Sequence, residues 1–575
     1  MFLRDSYVRS CGWQAFERAI QRLLPHLGYT GVRLVGQSGD EGADVLGHAN
    51  GKRWLFQVKY WRRRVGEVTV EETIRAAATY RAEIPVIVAL SGFDDGARRR
   101  QLMLQRHGIP MQLWDAPTLQ SRLEKVAQRE TWANELRPYQ VTSIEAIVSS
   151  ALVQNSHRAL VVLATGLGKT VVAAEAVRRI RMQRPWRVLV LAHTNALVYQ
   201  LERSFWPFLA PDVPTAVWNG YEKPSAADLS SYPFVFASVQ TVDEAVRQRI
   251  DVAPFDCLIV DECHHAASDS YRRVLEALGA DGGGPAFVLG LTATPWRKDQ
   301  RNLLTAFGDP VAKVDIVDGL RNGYLANIDY RMYTDNICWE ALHQLSRGAL
   351  SPRAINRTLF ITEWDDAVVR ELELAWRTQH KPRAIVFCGT IDHALTMRDR
   401  INAFGFARAE ALYSDLGGNR KQSAPERARI LADFHDGSIG VACTVDILNE
   451  GVDIPDVNII VFQRVTHSRR IFVQQLGRGL RISPGKDRVL VLDFVSDIRR
   501  FAAGLNLKQQ LAFSSSVGGP RRVSINHSVS FRRVGDSDPR AEGFLKEWLD
   551  DVTAIEDAGE DAAVLKFPRA IEDEL

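Results

Sequence analysis

Residues Leu160–Val172 read LVVLATGLGKTVV, and this segment restricts the fold more than any other in the chain. An apolar run enters a loop carrying two glycines, and the loop passes straight into a stretch of Val and Ala. A strand delivered through a glycine turn into a helix is a phosphate cradle. Small residues let backbone N–H groups converge on an anion, and the helix N-terminus adds positive potential. Thr165, Gly166 and Gly168 are expected to line that loop, Lys169 to reach the terminal phosphates, and Thr170 to hold Mg2+. The strict G-x-x-x-x-G-K-T spacing is not met, because Leu163 stands at its first position. A plain strand-to-helix turn is the alternative reading of the same segment.

Further along, Leu258–His264 reads LIVDECH, an apolar run ending in paired carboxylates. Asp261 is expected to bind the metal and Glu262 to orient or deprotonate an attacking water. Alone, such a pair is more often a solvated strand end; downstream of a phosphate loop the catalytic reading prevails. The surrounding chain alternates short apolar runs with amphipathic stretches. Runs at Trp54–Val58, Val86–Leu90, Ala159–Leu163, Arg187–Leu191, Phe234–Ser238, Cys257–Val260, Phe287–Leu291, Ala384–Phe387, Val441–Cys443, Ile459–Phe462 and Val489–Val491 read as buried strands, apolar on both faces. Helical segments between them imply α/β layers. The rhythm stops between Leu320 and Asp366, and again, for good, after about Arg500.

The order of further motifs resembles helicase superfamily 2. Leu136–Gln140 (LRPYQ) resembles the adenine-reading segment, with Gln140 as the reader. His193–Gln200 and Ala237–Thr241 resemble the strand-contacting motifs Ia and Ib, Leu291–Pro295 (LTATP) the coupling motif III, and Ile385–Gly389 motif IV. Thr444–Asp453 resembles motif V, and Gln474–Arg481 (QQLGRGLR) fits Q-x-x-G-R-x-x-R. The resemblance implies two RecA-like lobes that close on ATP. It makes Arg478 and Arg481 arginine fingers, and it puts Gly451 and Asp453 near the ribose and phosphates. Phosphoryl transfer is catalysed mainly by positioning and charge neutralisation, which suits a Lys and Mg2+ on one lobe and Arg on the other.

Upstream, Phe16, Ile20, Leu23, Leu24 and Leu27 recur at helical spacing, with Glu17 beside that stripe. Gly36–Leu46 (GQSGDEGADVL) and Gly51–Tyr60 (GKRWLFQVKY) follow. They read as a glycine-rich turn, a strand carrying Asp44, a hairpin, and a strand that puts Gln57 and Lys59 on one face. This course resembles the Mrr-like family of PD-(D/E)xK nucleases over about Gly12 to Leu123. The resemblance implies that Asp44, Glu17 and the Gln57 carbonyl oxygen hold Mg2+, with Lys59 steadying the attacking hydroxide. Gln57 stands where many relatives of the wider fold have a carboxylate, so metal binding is expected to be weaker and Glu17 to matter more. The bland alternative makes Asp44 a turn cap and Lys59 a solvated strand residue, leaving a domain that binds DNA without cutting it. The run Trp61–Arg64 (WRRR) reads equally as a phosphate contact or a solvated loop.

Charge is uneven although the net value is only +3. Residues 1–128 hold 19 Lys/Arg against 13 Asp/Glu, and 541–575 hold 3 against 11. A basic head can approach phosphates, and an acidic tail is repelled by them. Six scattered cysteines form no C-x-x-C pair, which argues against a zinc ribbon, an iron–sulfur cluster or a disulfide framework. The N-terminus has no signal-peptide core and no run approaches a membrane span, so a cytoplasmic setting is expected.

The chain is therefore expected to be an α/β multidomain protein. A restriction-endonuclease-like domain (1–128) would precede a first RecA-like lobe (129–318), a connector (319–366), a second lobe (367–500) and a C-terminal extension (501–575). The expected function is an ATP-dependent DNA translocase or helicase carrying a Mg2+-dependent endonuclease for restriction or anti-phage defence. Its cofactors would be ATP and Mg2+. DNA is the expected track, with RNA left open, and partners would come from a defence operon. A repair helicase whose N-terminal domain only binds DNA, and an ATP-gated regulatory switch, are the alternatives.

Overall fold

The computed structural model describes residues 12–35, 43–126, 136–154, 156–210, 212–250, 253–280, 284–293, 306–315, 318–319, 322–334, 362–413, 422–445, 457–463, 482, 486, 488–494 and 528–533. The chain divides into two compact units. The first comprises 1–163, 168–314 and 423–432, and the second 164–167, 315–422 and 433–575.

The first unit opens with α1 (Gly12–His26) and the five strands β1 (Thr30–Leu34), β2 (Val45–Ala49), β3 (Lys52–Lys59), β4 (Ile84–Ala89) and β5 (Gln112–Trp114), hydrogen-bonded in that order. β1–β3 are antiparallel neighbours, whereas β3, β4 and β5 run parallel. The β2–β3 hairpin turns at Asn50 and Gly51, both at positive φ (54° and 71°), the backbone that an Asn-Gly pair adopts at least strain. Its register pairs Val45 with Phe56 and Leu46 with Leu55, which fixes the two faces. Val45, Trp54, Phe56 and Val58 pack with Phe16, Ile20 and Leu23 of α1. Leu46 and Leu55 pack on the other side with Ala76 and Tyr80, at and just beyond the end of α2 (Glu67–Thr79). Helices α3 (Asp95–Arg106) and α4 (Ala116–Val126) complete this layer structure.

The same unit continues through α5 (Pro138–Leu152) into a seven-stranded sheet: β6 (Arg158–Leu163), β7 (Val188–Ala192), β8 (Thr215–Trp218), β9 (Phe234–Ser238), β10 (Cys257–Val260), β11 (Phe287–Thr292) and β12 (Pro310–Val314). Its order is β12-β6-β11-β10-β7-β9-β8 and every pairing is parallel. Between the strands run α6 (Lys169–Arg181), α7 (Asn195–Phe205), α8 (Ala226–Ser231), α9 (Val239–Arg247) and α10 (Asp269–Ala277). Parallel pairing puts the loops after β6, β7, β9, β10 and β11 on one edge, where ligands bind in open α/β sheets. Two of those loops begin their helices at side-chain caps. The Thr194 hydroxyl accepts from the Leu197 N–H at 3.3 Å, and the Ser238 hydroxyl from the Thr241 N–H at 3.4 Å.

The second unit holds β13 (Asn327–Thr334), α11 (Thr362–Thr378), β14 (Ala384–Cys388), α12 (Ile391–Phe404), β15 (Ala409–Tyr413), β16 (Val441–Val445), β17 (Ile459–Gln463), β18 (Arg488–Asp493) and β19 (Ser528–Arg533). These strands form a parallel sheet of order β15-β16-β14-β17-β18-β13-β19. β14, β16 and β17 are wholly or almost wholly buried. Two expectations are corrected here. The strand rhythm does not stop between 320 and 366, because β13 pairs with β18; nor does it end for good after 500, because β19 pairs with β13. Neither NIDYRMYT nor SVSFRR is an uninterrupted apolar run. Each gains its place from a ladder to a distant strand, which composition does not announce.

Candidate functional site

The loop expected to cradle phosphate lies between β6 and α6, at the carboxyl end of a strand flanked by β11 and β12. Gly166 and Gly168 adopt φ of 92° and 78°. At Gly168 a side chain would be strained by the backbone and would also meet Gln140, whose Nε2 would lie 2.9 Å from an added Cβ. Gln140 is buried on the first turn of α5, and its Oε1 accepts from the Arg137 N–H at 3.0 Å. The residue expected to read the base and the loop expected to cradle the phosphates are thus neighbours, and Thr165, Lys169 and Thr170 follow on that loop and the start of α6.

Glu262 follows β10 with φ 47°, a left-handed conformation that is costly for a non-glycine residue and concentrates at functional sites. Its Oε1 lies 3.2 Å from Lys169 Nζ and its Oε2 3.2 Å from His264 Nδ1. His264 Nδ1 is in turn 3.3 Å from the Thr292 hydroxyl at the end of β11. The chain LTATP therefore reaches the carboxylate pair through His264, a link the sequence reading did not assign. Burial pushes Glu262 upward, but the charges of Lys169 and His264 outweigh it and hold the carboxyl well below its usual range. Burial and the neighbouring Glu262 raise Asp261 to about 6. Asp261 Oδ1 is buried with no hydrogen-bond partner. An oxygen in that state, close enough to Lys169 to feel its charge, suits a hard cation, so the residues present fit Mg2+. Gly451, Asp453, Arg478 and Arg481 lie outside the described residues.

In the N-terminal sheet, Asp44 stands where β2 and β3 separate. Its N–H bonds to the Phe56 carbonyl at 3.1 Å, and its Oδ2 accepts from the Val58 N–H at 2.5 Å, so the two bonds bracket Gln57. Gln57 is fully buried and meets the Thr73 hydroxyl of α2. Lys59, two residues on, lies over the Trp61 ring, its Nζ 5.3 Å from the centroid, with Arg63 at 5.0 Å from the same ring. Arg62, Arg63 and Arg64 are exposed. Glu17 is buried on α1, the helix packed against the Phe56 and Val58 face, whereas Gln57 meets α2 across the sheet. The structure thus sets Asp44 beside Gln57, with Glu17 on α1, whose apolar residues Phe16 and Ile20 pack on the Phe56 and Val58 face. Among the described residues no three His, Cys, Asp or Glu side chains gather as a metal cluster.

A second feature was not foreseen. Arg18, next to Glu17 on α1, enters the seven-stranded domain of the same unit. Its Nε bonds Glu202 Oε2 at 2.8 Å, and its Nη1 lies 2.6 and 2.7 Å from the two Glu222 oxygens. Thr215 donates to Glu202 at 2.5 Å, and the Tyr199 hydroxyl to Glu222 at 3.1 Å. Arg22 adds a bond to the Val213 carbonyl at 2.9 Å. The side chains of Arg18, Glu202 and Glu222 are at most 9% exposed, so the two domains meet through a desolvated ionic cluster.

Three family models match the chain: "Restriction endonuclease" over residues 8–123, "Type III restriction enzyme, res subunit" over 133–297, and "Helicase conserved C-terminal domain" over 365–483. The endonuclease subunit of the type I restriction enzyme EcoAI of Escherichia coli is 26% identical over 73% of this chain and 56% of its own length. A DNA 3'-5' translocase, XPB2, of Sulfurisphaera tokodaii is 24% identical over 60% of this chain and 79% of its own. The chain spans little more than half the length of the curated relatives it matches first. Among solved structures, the ATP-dependent type ISP restriction-modification enzyme LlaBIII bound to DNA superposes with a TM-score of 0.55 at 16% identity, over 95% of this chain and 42% of that one. No helix among the described residues is long and apolar enough to cross a membrane.

Proposed function

From a chain that joins a Mrr-type restriction endonuclease domain to the ATP-using domains of a superfamily 2 helicase, we propose an ATP-driven DNA translocase that delivers its own Mg2+-dependent endonuclease to DNA, in restriction or defence against foreign DNA. The observation that carries the motor half is the cluster of Lys169, Asp261, Glu262, His264 and Thr292 at the carboxyl edge of one parallel sheet. Lys169, Thr165, Gly166 and Gly168 bind the phosphates, Gln140 the base, and Glu262 orients the attacking water. Thr170 and Asp261 would hold Mg2+, which neutralises charge on the phosphate oxygens. The pair of Glu262 and Lys169 opens when phosphate claims the lysine, and that frees the carboxylate to accept a proton. Gly451, Asp453, Arg478 and Arg481 also act on the nucleotide in this proposal.

In the nuclease half, Asp44, the Gln57 carbonyl oxygen and Glu17 would hold Mg2+, which activates water at the scissile phosphate. Lys59 steadies the developing charge. The type I restriction subunit supports both DNA as substrate and a multi-subunit setting with partners of a defence system. The cytoplasmic setting and the division at 128, 318, 366 and 500 belong to the same proposal.

Lys169→Ala is expected to abolish DNA-stimulated ATP hydrolysis. Lys59→Ala is expected to stop plasmid cleavage and leave the ATPase intact; cleavage by that variant would overturn the nuclease assignment. A second reading, a repair helicase whose N-terminal domain binds without cutting, is favoured by Gln57, an uncharged side chain buried beside Asp44 where many relatives of the wider fold have a carboxylate. The absence of nicking on supercoiled and modified plasmids with Mg2+ or Mn2+ would decide for it.

A further inference from the structure

Gln57 has no exposed surface, and its Nε2 meets no hydrogen-bond partner. The other end of its amide touches the Thr73 hydroxyl. That hydroxyl also lies 2.7 Å from the Thr69 carbonyl, one turn back on α2. A hydroxyl has one proton to give and lone pairs with which to accept. A carbonyl can only accept, so the bond to Thr69 uses the Thr73 proton. What Thr73 then offers Gln57 is a lone pair, and Gln57 must answer with its N–H. The oxygen and nitrogen of an amide fill nearly the same space, and the hydrogen-bond network decides which is which.

With nitrogen toward Thr73, the buried atom lacking a partner becomes the Gln57 carbonyl oxygen. An orphaned buried acceptor costs stability until something positive meets it, and a hard divalent cation does so. This oxygen belongs to the residue that the two Asp44 bonds bracket, at 3.1 and 2.5 Å. The reverse orientation would turn an N–H toward the same place and repel a cation. We propose that Thr73 is a positioning residue: its hydroxyl accepts from the Gln57 amide and so directs the Gln57 carbonyl oxygen to join Asp44 in holding a divalent metal. The inference rests on the nuclease reading given above. It explains how an uncharged glutamine serves where a carboxylate, having two equivalent oxygens, would need no such orientation.

The test is Mn2+ binding to the full chain by titration calorimetry, without nucleotide or DNA, alongside thermal unfolding. The N-terminal component is the binding that Asp44→Asn removes. Thr73→Val, which keeps the shape and loses the hydroxyl, is expected to weaken that component about 10-fold or more, the usual effect of removing a ligand's hydrogen-bond partner. Thr73→Ser is expected to restore it, and Thr73→Ala replaces the valine variant if the latter does not fold. In a Gln57→Glu background the loss of Thr73 is expected to have no effect, because a carboxylate presents oxygen either way; a merely structural role for Thr73 would weaken binding in both backgrounds. Unchanged affinity in Thr73→Val, with binding lost in Asp44→Asn, overturns the role of Thr73 and spares the nuclease reading. A titration that Asp44→Asn leaves wholly unchanged overturns both.

Discussion

Replacing Arg18 by alanine removes the cation that bonds Glu202 and Glu222 in the ionic cluster joining α1 to the seven-stranded domain. Three bonds of 2.6–2.8 Å disappear, and two carboxylates remain with at most 9% of their side-chain surface exposed. Thr215 and Tyr199 still donate to them, but neither brings charge. Breaking a buried pair from one side costs about 3–5 kcal/mol, because the remaining charge is left uncompensated out of water. The cost must also depend on pH. Burial raises the Glu222 carboxyl above its usual range even in the intact cluster, and Arg18 is the strongest influence pulling it down. Without Arg18 the folded-state value rises further. A carboxyl whose folded value lies above its unfolded value contributes full stability below the unfolded value and loses it as pH rises through the folded one. The variant should therefore lie closest to the parent near pH 4.5 and fall furthest behind at pH 8. Urea unfolding of both chains across that range, followed by intrinsic fluorescence and by proteolysis of the α1 region, measures the difference. A penalty under about 1 kcal/mol at pH 8 would place Arg18 among surface pairs. A penalty that grows toward acid pH would refute the sign of the argument. Adding Glu202→Gln and Glu222→Gln to the variant should recover much of the loss.

Gly168→Ala places a Cβ 2.9 Å from Gln140 Nε2 at a φ of 78°, and the left-handed backbone alone costs about 1–2 kcal/mol; nucleotide affinity measured by fluorescence titration should fall about 10-fold or more, whereas unchanged affinity would mean that the loop relaxes freely. Lys169→Ala should lower DNA-stimulated ATPase turnover by about 100-fold or more, in line with removal of one charged donor from a transition state. Lys59→Ala should leave that turnover as it was while plasmid nicking ceases, which a coupled ATPase and gel assay on one preparation reads directly.

Much of the architecture was legible because each piece is local. β6, β10, β14, β16 and β17 are short apolar runs buried on both faces, and a parallel sheet is the arrangement that buries both. The proposed phosphate loop is legible for a similar reason: its glycines, lysine and threonine lie within a few residues of one another. Asn50 and Gly51 announce their hairpin by backbone preference alone. β13 and β19 were missed because an interrupted strand is stabilised by its neighbours in space, and β18, β13 and β19 come from widely separated parts of the chain.

The sequence by itself determined the chemistry available: a lysine on a glycine-bearing loop, paired carboxylates on a strand end, and Asp44, Gln57 and Lys59 around one hairpin. Tertiary structure alone decided which distant groups meet. His264 reaches Thr292 across 28 positions, Thr73 reaches Gln57 across 16, and Arg18 meets Glu202 and Glu222 across 184 and 204. A local motif is dictated by backbone preference and by the ligand it must hold. A hydrogen-bonded contact between remote residues exists only after packing has brought them together and excluded water, and no spacing rule along the chain encodes that step.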